Sequence, residues 1–133
     1  MKNQIATSLE QSKRLIACGV NPESADMCYV GGWKEVCAIP FAKCNKEDTP
    51  AWSLSTLLAL LPTEIKEDSD YYDEICNYGL LIYPYMQGWQ IDYQYCEYDE
   101  CHCLKCVHGS DLIEACVKAI EWLTANGNTL NTK

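Results

Sequence analysis

Trp52-Ser-Leu-Ser-Thr-Leu-Leu-Ala-Leu-Leu-Pro62 is the stretch whose reading decides the fold. Ser53 is placed to cap a helix, its hydroxyl accepting a backbone N–H that the first turn leaves over. Trp52 and Leu57 then stand at N′ and N4, the spacing of a hydrophobic staple. Leu54, Leu57, Leu58 and Leu61 follow at helical period on one face, and Leu60 widens that face. Pro62 drives Leu61 out of helical geometry and stops the run. A helix this short and this apolar belongs in a core, so Leu58→Asp is expected to bury a lone charge and unfold the domain.

Two amphipathic helices are expected at the ends. Residues 3–18 carry Ile5, Leu9, Leu15 and Ile16 on one stripe, with Asn3 as cap, Lys13 and Arg14 late in the helix and Gly19 just past it. From Ser110 as cap, Leu112, Ala115, Cys116, Ala119, Ile120 and Leu123 form a core stripe that ends at Asn126-Gly127. Between the first two helices, Met27–Val30 and Trp33–Ile39 flank Gly31-Gly32, the signature of a hairpin whose turn needs positive φ.

After Pro62 come six acids and one Lys in residues 63–74, expected to be a solvated loop or a frayed helical turn. Residues 79–98 then give the clearest β-pattern. Gly79–Tyr85 is apolar apart from Pro84, which cannot donate to a ladder and suits an edge. Gln87-Gly88 is the expected turn. Trp89, Ile91, Tyr93 and Tyr95 alternate with Gln90, Asp92, Gln94 and Cys96, a strand with one buried and one wet face. A third strand is expected over His102–Val107. The order α-ββ-α-βββ-α describes one small α+β domain over residues 1–133, an antiparallel sheet packed against helices, with residues 1–2 and 127–133 loose.

The chain has 133 residues, 48% of them apolar, enough for a core without staples. Its net charge of −9 disfavours nucleic-acid phosphates and anionic membranes as partners. Met1–Ser8 has no apolar signal segment, and no run approaches a membrane span. The ten cysteines are therefore expected to be reduced, in a cytoplasmic protein.

Three stretches carry a resemblance: Pro50-Ala-Trp-Ser-Leu-Ser-Thr-Leu-Leu-Ala-Leu-Leu-Pro62, Pro22-Glu-Ser-Ala-Asp-Met27 and Ala115-Cys-Val-Lys-Ala-Ile-Glu-Trp-Leu123. In that order they resemble a family of small uncharacterised proteins from Bacteroides-type gut bacteria and their phages and prophages. The resemblance implies a cytoplasmic protein of mobile-element origin and brings no activity or cofactor with it.

Chemistry concentrates in Cys96-Glu-Tyr-Asp-Glu-Cys101-His102-Cys103-Leu-Lys-Cys106-Val-His108. Zinc takes about four thiolate or imidazole ligands, and Cys101, Cys103, Cys106 and His108 are the candidate set. Against it, a regular strand would point Cys103 and Cys106 to opposite faces. Small buried thiols are the plainer alternative. A nucleophilic or redox cysteine lacks the helix N-terminus or the oriented base it needs. Phosphate-binding, zincin and hydrolase motifs are missing, and Arg14 is the chain's only arginine. No cofactor other than zinc is expected.

Aromatic residues supply the other candidate. Nine Tyr and four Trp stand against one Phe, and such rings dominate binding hot spots. Tyr83, Tyr85, Trp89, Tyr93 and Tyr95 are the candidate partner-binding residues. The function expected from the sequence is a non-enzymatic, cytoplasmic protein-binding module. Its partner is another protein or a second copy of itself, met through the Tyr-rich strands and acidic residues 64–74. A zinc module at Cys101–His108 and a cysteine-dependent enzyme are the alternatives.

Overall fold

A computed structural model describes residues 4–31, 35–45, 47–68, 75–97 and 100–131. The chain is α+β. Its elements are α1 (Leu9–Ala17), β1 (Met27–Tyr29), β2 (Thr49–Ala51), α2 (Leu54–Leu60), β3 (Glu64–Asp68), β4 (Ile75–Tyr85), β5 (Gly88–Glu97), β6 (Glu100–Gly109) and α3 (Leu112–Ala125). Strands β3-β4-β5-β6 form an antiparallel meander in sequence order, and β1 and β2 pair separately. None of the described helices is long and apolar enough to cross a membrane.

The Trp52–Pro62 stretch behaves as its pattern dictates. Ser53 caps α2, accepting from the Thr56 N–H at 3.3 Å. Its own N–H and hydroxyl donate to the two carboxylate oxygens of Asp26, at 2.9 and 2.6 Å. Trp52 is wholly buried, its indole N–H donating to Ser24 Oγ at 2.9 Å. Its backbone pairs with Thr7 on both sides: Trp52 N–H donates to the hydroxyl, and Thr7 N–H donates to the Trp52 carbonyl. Leu57, Leu60 and Leu61 lie in the core with Ile113, Cys116, Ile120 and Leu123 of α3 and with Ile91 and Tyr93 of β5. Leu54 and Leu58 are only half-buried at its margin. The expected Leu58 anchor is therefore corrected to Leu57, because the helix presents its 57–60–61 side inward.

Several boundaries move. Helix α1 begins at Leu9 and not near residue 3, because Ser8 and Gln11 form a reciprocal capping box there; Asn3 lies outside the described residues. The partner of β1 is β2, with Met27 opposite Ala51 and Tyr29 opposite Thr49. Of the hairpin expected across Gly31-Gly32, the described residues keep a single bridge, Cys28 to Cys37; Gly32, Trp33 and Lys34 lie outside them. Gly31 does sit at φ +60°, and its N–H is held by Asp48 Oδ1 at 2.8 Å. This region makes its own small core of Ala6, Tyr29 and Ala51.

Residues 64–68, expected as loop or frayed helical turn, form edge strand β3, aligned from Glu64 opposite Gly79 to Asp68 opposite Ile75. Because β3 covers only that end of β4, Pro84 lies where β4 has β5 alone as neighbour, which suits its missing N–H. The turn is Met86-Gln87, not Gln87-Gly88, and both residues have positive φ (51° and 62°). Gly88 is reserved for the strand, where a Cβ would overlap the Gly109 carbonyl oxygen. Asp111, not Ser110, caps α3, accepting from the Glu114 N–H at 2.8 Å.

Arg14 ties α1 to α3. It forks to Glu114 (2.8 and 3.1 Å) and to Glu121 (2.5 and 3.2 Å). Burial opposes the charge on Glu114, but donation from Arg14 and Gln11 outweighs it and holds the carboxyl below its ordinary value. The segment expected to be loose after Asn126 is docked as far as Asn131, which donates to the carbonyls of Leu60 (2.9 Å) and Leu61 (3.0 Å).

Leu57→Ala is expected to destabilise the protein by about 3 kcal/mol, through lost transfer energy and the cavity left behind. Leu58→Ala should cost clearly less. Chemical denaturation of both variants checks this; equal losses would contradict the packing described.

Candidate functional site

The alternation along β4, β5 and β6 gives the sheet two different faces. Facing the helices are Cys76, Tyr78, Leu80 and Ile82 of β4, Trp89, Ile91, Tyr93 and Tyr95 of β5, and Leu104 and Val107 of β6. The opposite face carries Ile75, Leu81, Tyr83 and Tyr85, then Gln90, Asp92, Gln94 and Cys96, then Cys101, Cys103, Cys106 and His108. Ile75 (67% exposed), Leu81 (46%) and Tyr85 (54%) stand open there, and Met86 (73%) extends the apolar line at the hairpin tip.

Asp92 is the exception on that face: it is only 1% exposed. Leu81 on β4 and Cys106 on β6 flank it in register. Tyr83 donates its hydroxyl to Asp92 Oδ2 at 2.5 Å, and the Gln94 amide donates to the same oxygen at 2.8 Å. Asp92 Oδ1 is buried and has no hydrogen-bond partner among the described residues. Donation to Asp92, aided by partial burial, pushes the Tyr83 phenol up to about 12.

Cys103 and Cys106 meet here because of a β-bulge. The pairing of β5 with β6 slips between Tyr93 and Gln94, so Lys105 faces Tyr93, Cys103 faces Gln94 and Leu104 is the extra residue. The expectation that a strand splits these two cysteines is corrected by this slip. Their Cα atoms are 6.8 Å apart, against about 10 Å for three residues of regular strand. Their sulfurs lie at disulfide distance, and with a carboxylate oxygen of Asp92 they fall within 4.8 Å of one another.

The other members of the sequence-predicted metal set lie elsewhere. Cys101 is opposite Cys96 and pairs with it at disulfide distance. His108 is opposite Gln90, its Nε2 at 2.9 Å from the Tyr85 carbonyl oxygen and its ring edge-on to Tyr85. Cys96 and Gln90 are six residues apart on β5, about 20 Å. Cys101 and His108 therefore do not share an ion. Cys28 and Cys44 form a third pair beside Asp48. Six of the ten thiols are thus drawn into pairs, where the sequence suggested a reduced set.

The predicted aromatic set also divides. Tyr83 and Tyr85 are on the open face. Trp89 and Tyr95 pack against the core. Tyr93 is buried, stacked on Trp122 at 6.3 Å, and donates to the Pro62 carbonyl at 2.8 Å. The alternation that marks one side of β5 as apolar is what turns these three inward. Tyr71, Tyr72 and Tyr98, and the acids beyond Asp68, lie outside the described residues.

Cys116, on the predicted core stripe of α3, has its thiol pushed up to about 12 by burial and by Asp111, which makes it a poor nucleophile. One groove on the helical side, about 420 Å³, is lined by Val20, Asn21, Leu60, Asn128 and Leu130 among others, and brings no acid–base pair together. Asp92 was missed in the sequence because period-two alternation assigns it to a wet face. Its one signal was a carboxylate at the centre of an aromatic strand. Comparison with family models, with curated proteins and with solved structures finds no match to this chain.

Asp92→Asn should return the Tyr83 phenol toward its ordinary 10, since removal of the anionic acceptor frees the hydroxyl to ionise. Alkaline NMR titration of labelled tyrosine rings reads this directly. Ionisation of Tyr83 near 10 in the unmodified protein would contradict the Tyr83–Asp92 bond.

Proposed function

We propose that the protein is a non-enzymatic binding module that docks a partner protein on the open face of the β3–β6 sheet. The observation that carries this is the alignment of Ile75, Leu81 and Tyr85 on that face, with Met86 at its end, all exposed. Exposed apolar side chains gathered between Leu81 and Met86 are the kind of surface that marks an interaction site. Tyr83 adds an aromatic ring beside it, edge-on to Tyr85 at 6.3 Å.

The chemistry of the partner follows from charge. The protein carries −9 overall, and on edge strand β3 exposed Glu64 stands opposite Gly79 on the open face, with Lys66 beside it and Glu67 on the other face. The fitting occupant is a protein with an apolar patch rimmed by Lys and Arg; the net negative charge speeds the encounter more than it adds affinity. A second copy of this chain, equally acidic, is the poorer fit. The resemblance carried by Pro50–Pro62 makes a Bacteroides-type bacterium and its phages the first place to look for the partner.

Affinity capture from such cells with the unmodified protein and with Leu81→Asp tests the proposal. One partner should be retained by the unmodified protein, lost with Leu81→Asp, and weakened by added salt. The same captured set with both proteins, or none with either and a monomeric solution mass, would overturn it.

A further inference from the structure

We propose that Asp92, Cys103 and Cys106, in the dithiol state of the two cysteines, form a three-ligand site for a thiophilic divalent cation of the zinc type. The site keeps Cys103 and Cys106 of the predicted set, has Asp92 in place of Cys101 and His108, and does not depend on the docking proposal.

Three observations carry it. The bulge at Leu104 brings both sulfurs to the open face, within 4.8 Å of an Asp92 oxygen. Asp92 is buried on the side of the sheet away from the helices, with Oδ1 unpartnered among the described residues. An orphaned buried oxygen in a folded protein calls for an occupant, and a cation supplies one. Finally, Tyr83 and Gln94 both bind Oδ2 and none of the described residues binds Oδ1. This is how a ligating carboxylate is held: one oxygen fixed by outer hydrogen bonds, the other left for the metal.

The cluster of Cys28, Cys44 and Asp48 lacks this feature. Asp48 gives one oxygen to the Gly31 N–H and the other to the Asn45 N–H. Two thiolates and one carboxylate suit a borderline-soft cation and leave a fourth tetrahedral position. Cys103 and Cys106 are exposed, which provides the entry path.

The disulfide and the metal exclude each other. A dithiol reductant delivers two electrons and two protons to the Cys103–Cys106 bond and closes to its own disulfide. The two resulting thiols release two protons as the cation binds. The site is therefore loaded only under reducing conditions.

The test uses Co²⁺ as probe on the full chain, reduced with a trialkylphosphine that is then removed. The phosphine becomes its oxide, taking oxygen from water as the disulfide becomes two thiols. The reduced protein should show a thiolate-to-cobalt charge-transfer band that Zn²⁺ abolishes; the oxidised protein should show none. Cys103→Ser and Cys106→Ser should each lose it, while Cys101→Ser and Cys44→Ser keep it. Asp92→Asn should raise the Co²⁺ dissociation constant more than about tenfold, and Tyr83→Phe by about tenfold through the outer bond alone. Circular dichroism checks that each variant is folded, and Tyr83→Phe keeps the test decisive if Asp92→Asn is not. No band in the reduced protein, a band indifferent to both Asp92→Asn and Tyr83→Phe, or equal loss in Cys44→Ser or Cys101→Ser would overturn the proposal.

Discussion

The structure depends on the burial of Trp52. Its indole is fully enclosed, and its one polar atom is satisfied by Ser24. A buried Trp is stable only when that N–H finds a partner, so the Pro22–Ser24 turn has to come to α2. The Trp52 backbone is paired with Thr7, and the adjacent Ser53 is held by Asp26. Two segments distant in sequence, at Thr7 and at Ser24–Asp26, thus converge on the start of one short helix. From there α2 presents Leu57, Leu60 and Leu61 to the same core that α3 enters. A seven-residue helix is too short to persist alone; packing and these bonds hold it.

Because α2 and α3 fill one side of the sheet, the other side is left to its own side chains. Most of them are what an open face tolerates: Gln90, Gln94 and the sulfurs. Asp92 is not. A carboxylate removed from water costs free energy unless its oxygens are paired, and here one is paired twice and the other by none of the described residues. Local strands around it are also irregular, with a bulge on one side and a turn of two positive-φ residues at the end of the hairpin. Such departures from regular geometry concentrate where a protein binds something.

The sequence made the regular parts legible and the irregular ones not. Ser53 with the Leu run, and the Ala115–Leu123 stripe, are readable because capping and a period of 3.6 are local properties. Trp89–Tyr95 is readable by its period of two. Thr49–Ala51 is not: three residues containing Pro50 have no period, and their pairing with Met27–Tyr29 is a tertiary choice. The bulge at Leu104 is equally invisible, yet it decides which thiols meet. Within the candidate sites, Tyr83 with Tyr85 was recoverable from the sequence, while Cys103 and Cys106 could be named but their meeting could not be read. Asp92, Leu81 and Ile75 were not recoverable, since alternation tells which face a residue takes and not what covers it.

The central claim is that the open face of the sheet is a binding surface, with a cation site organised around the Asp92 oxygen that none of the described residues binds. Amide NMR of the reduced full chain, recorded with and without one equivalent of Zn²⁺, tests it most directly. The account predicts shifts grouped at Leu81–Tyr83, Asp92–Gln94 and Cys103–Cys106, three stretches that only the sheet brings together. Shifts grouped at Cys28, Cys44 and Asp48, or at Cys101 and His108, or no shifts at all, would contradict it.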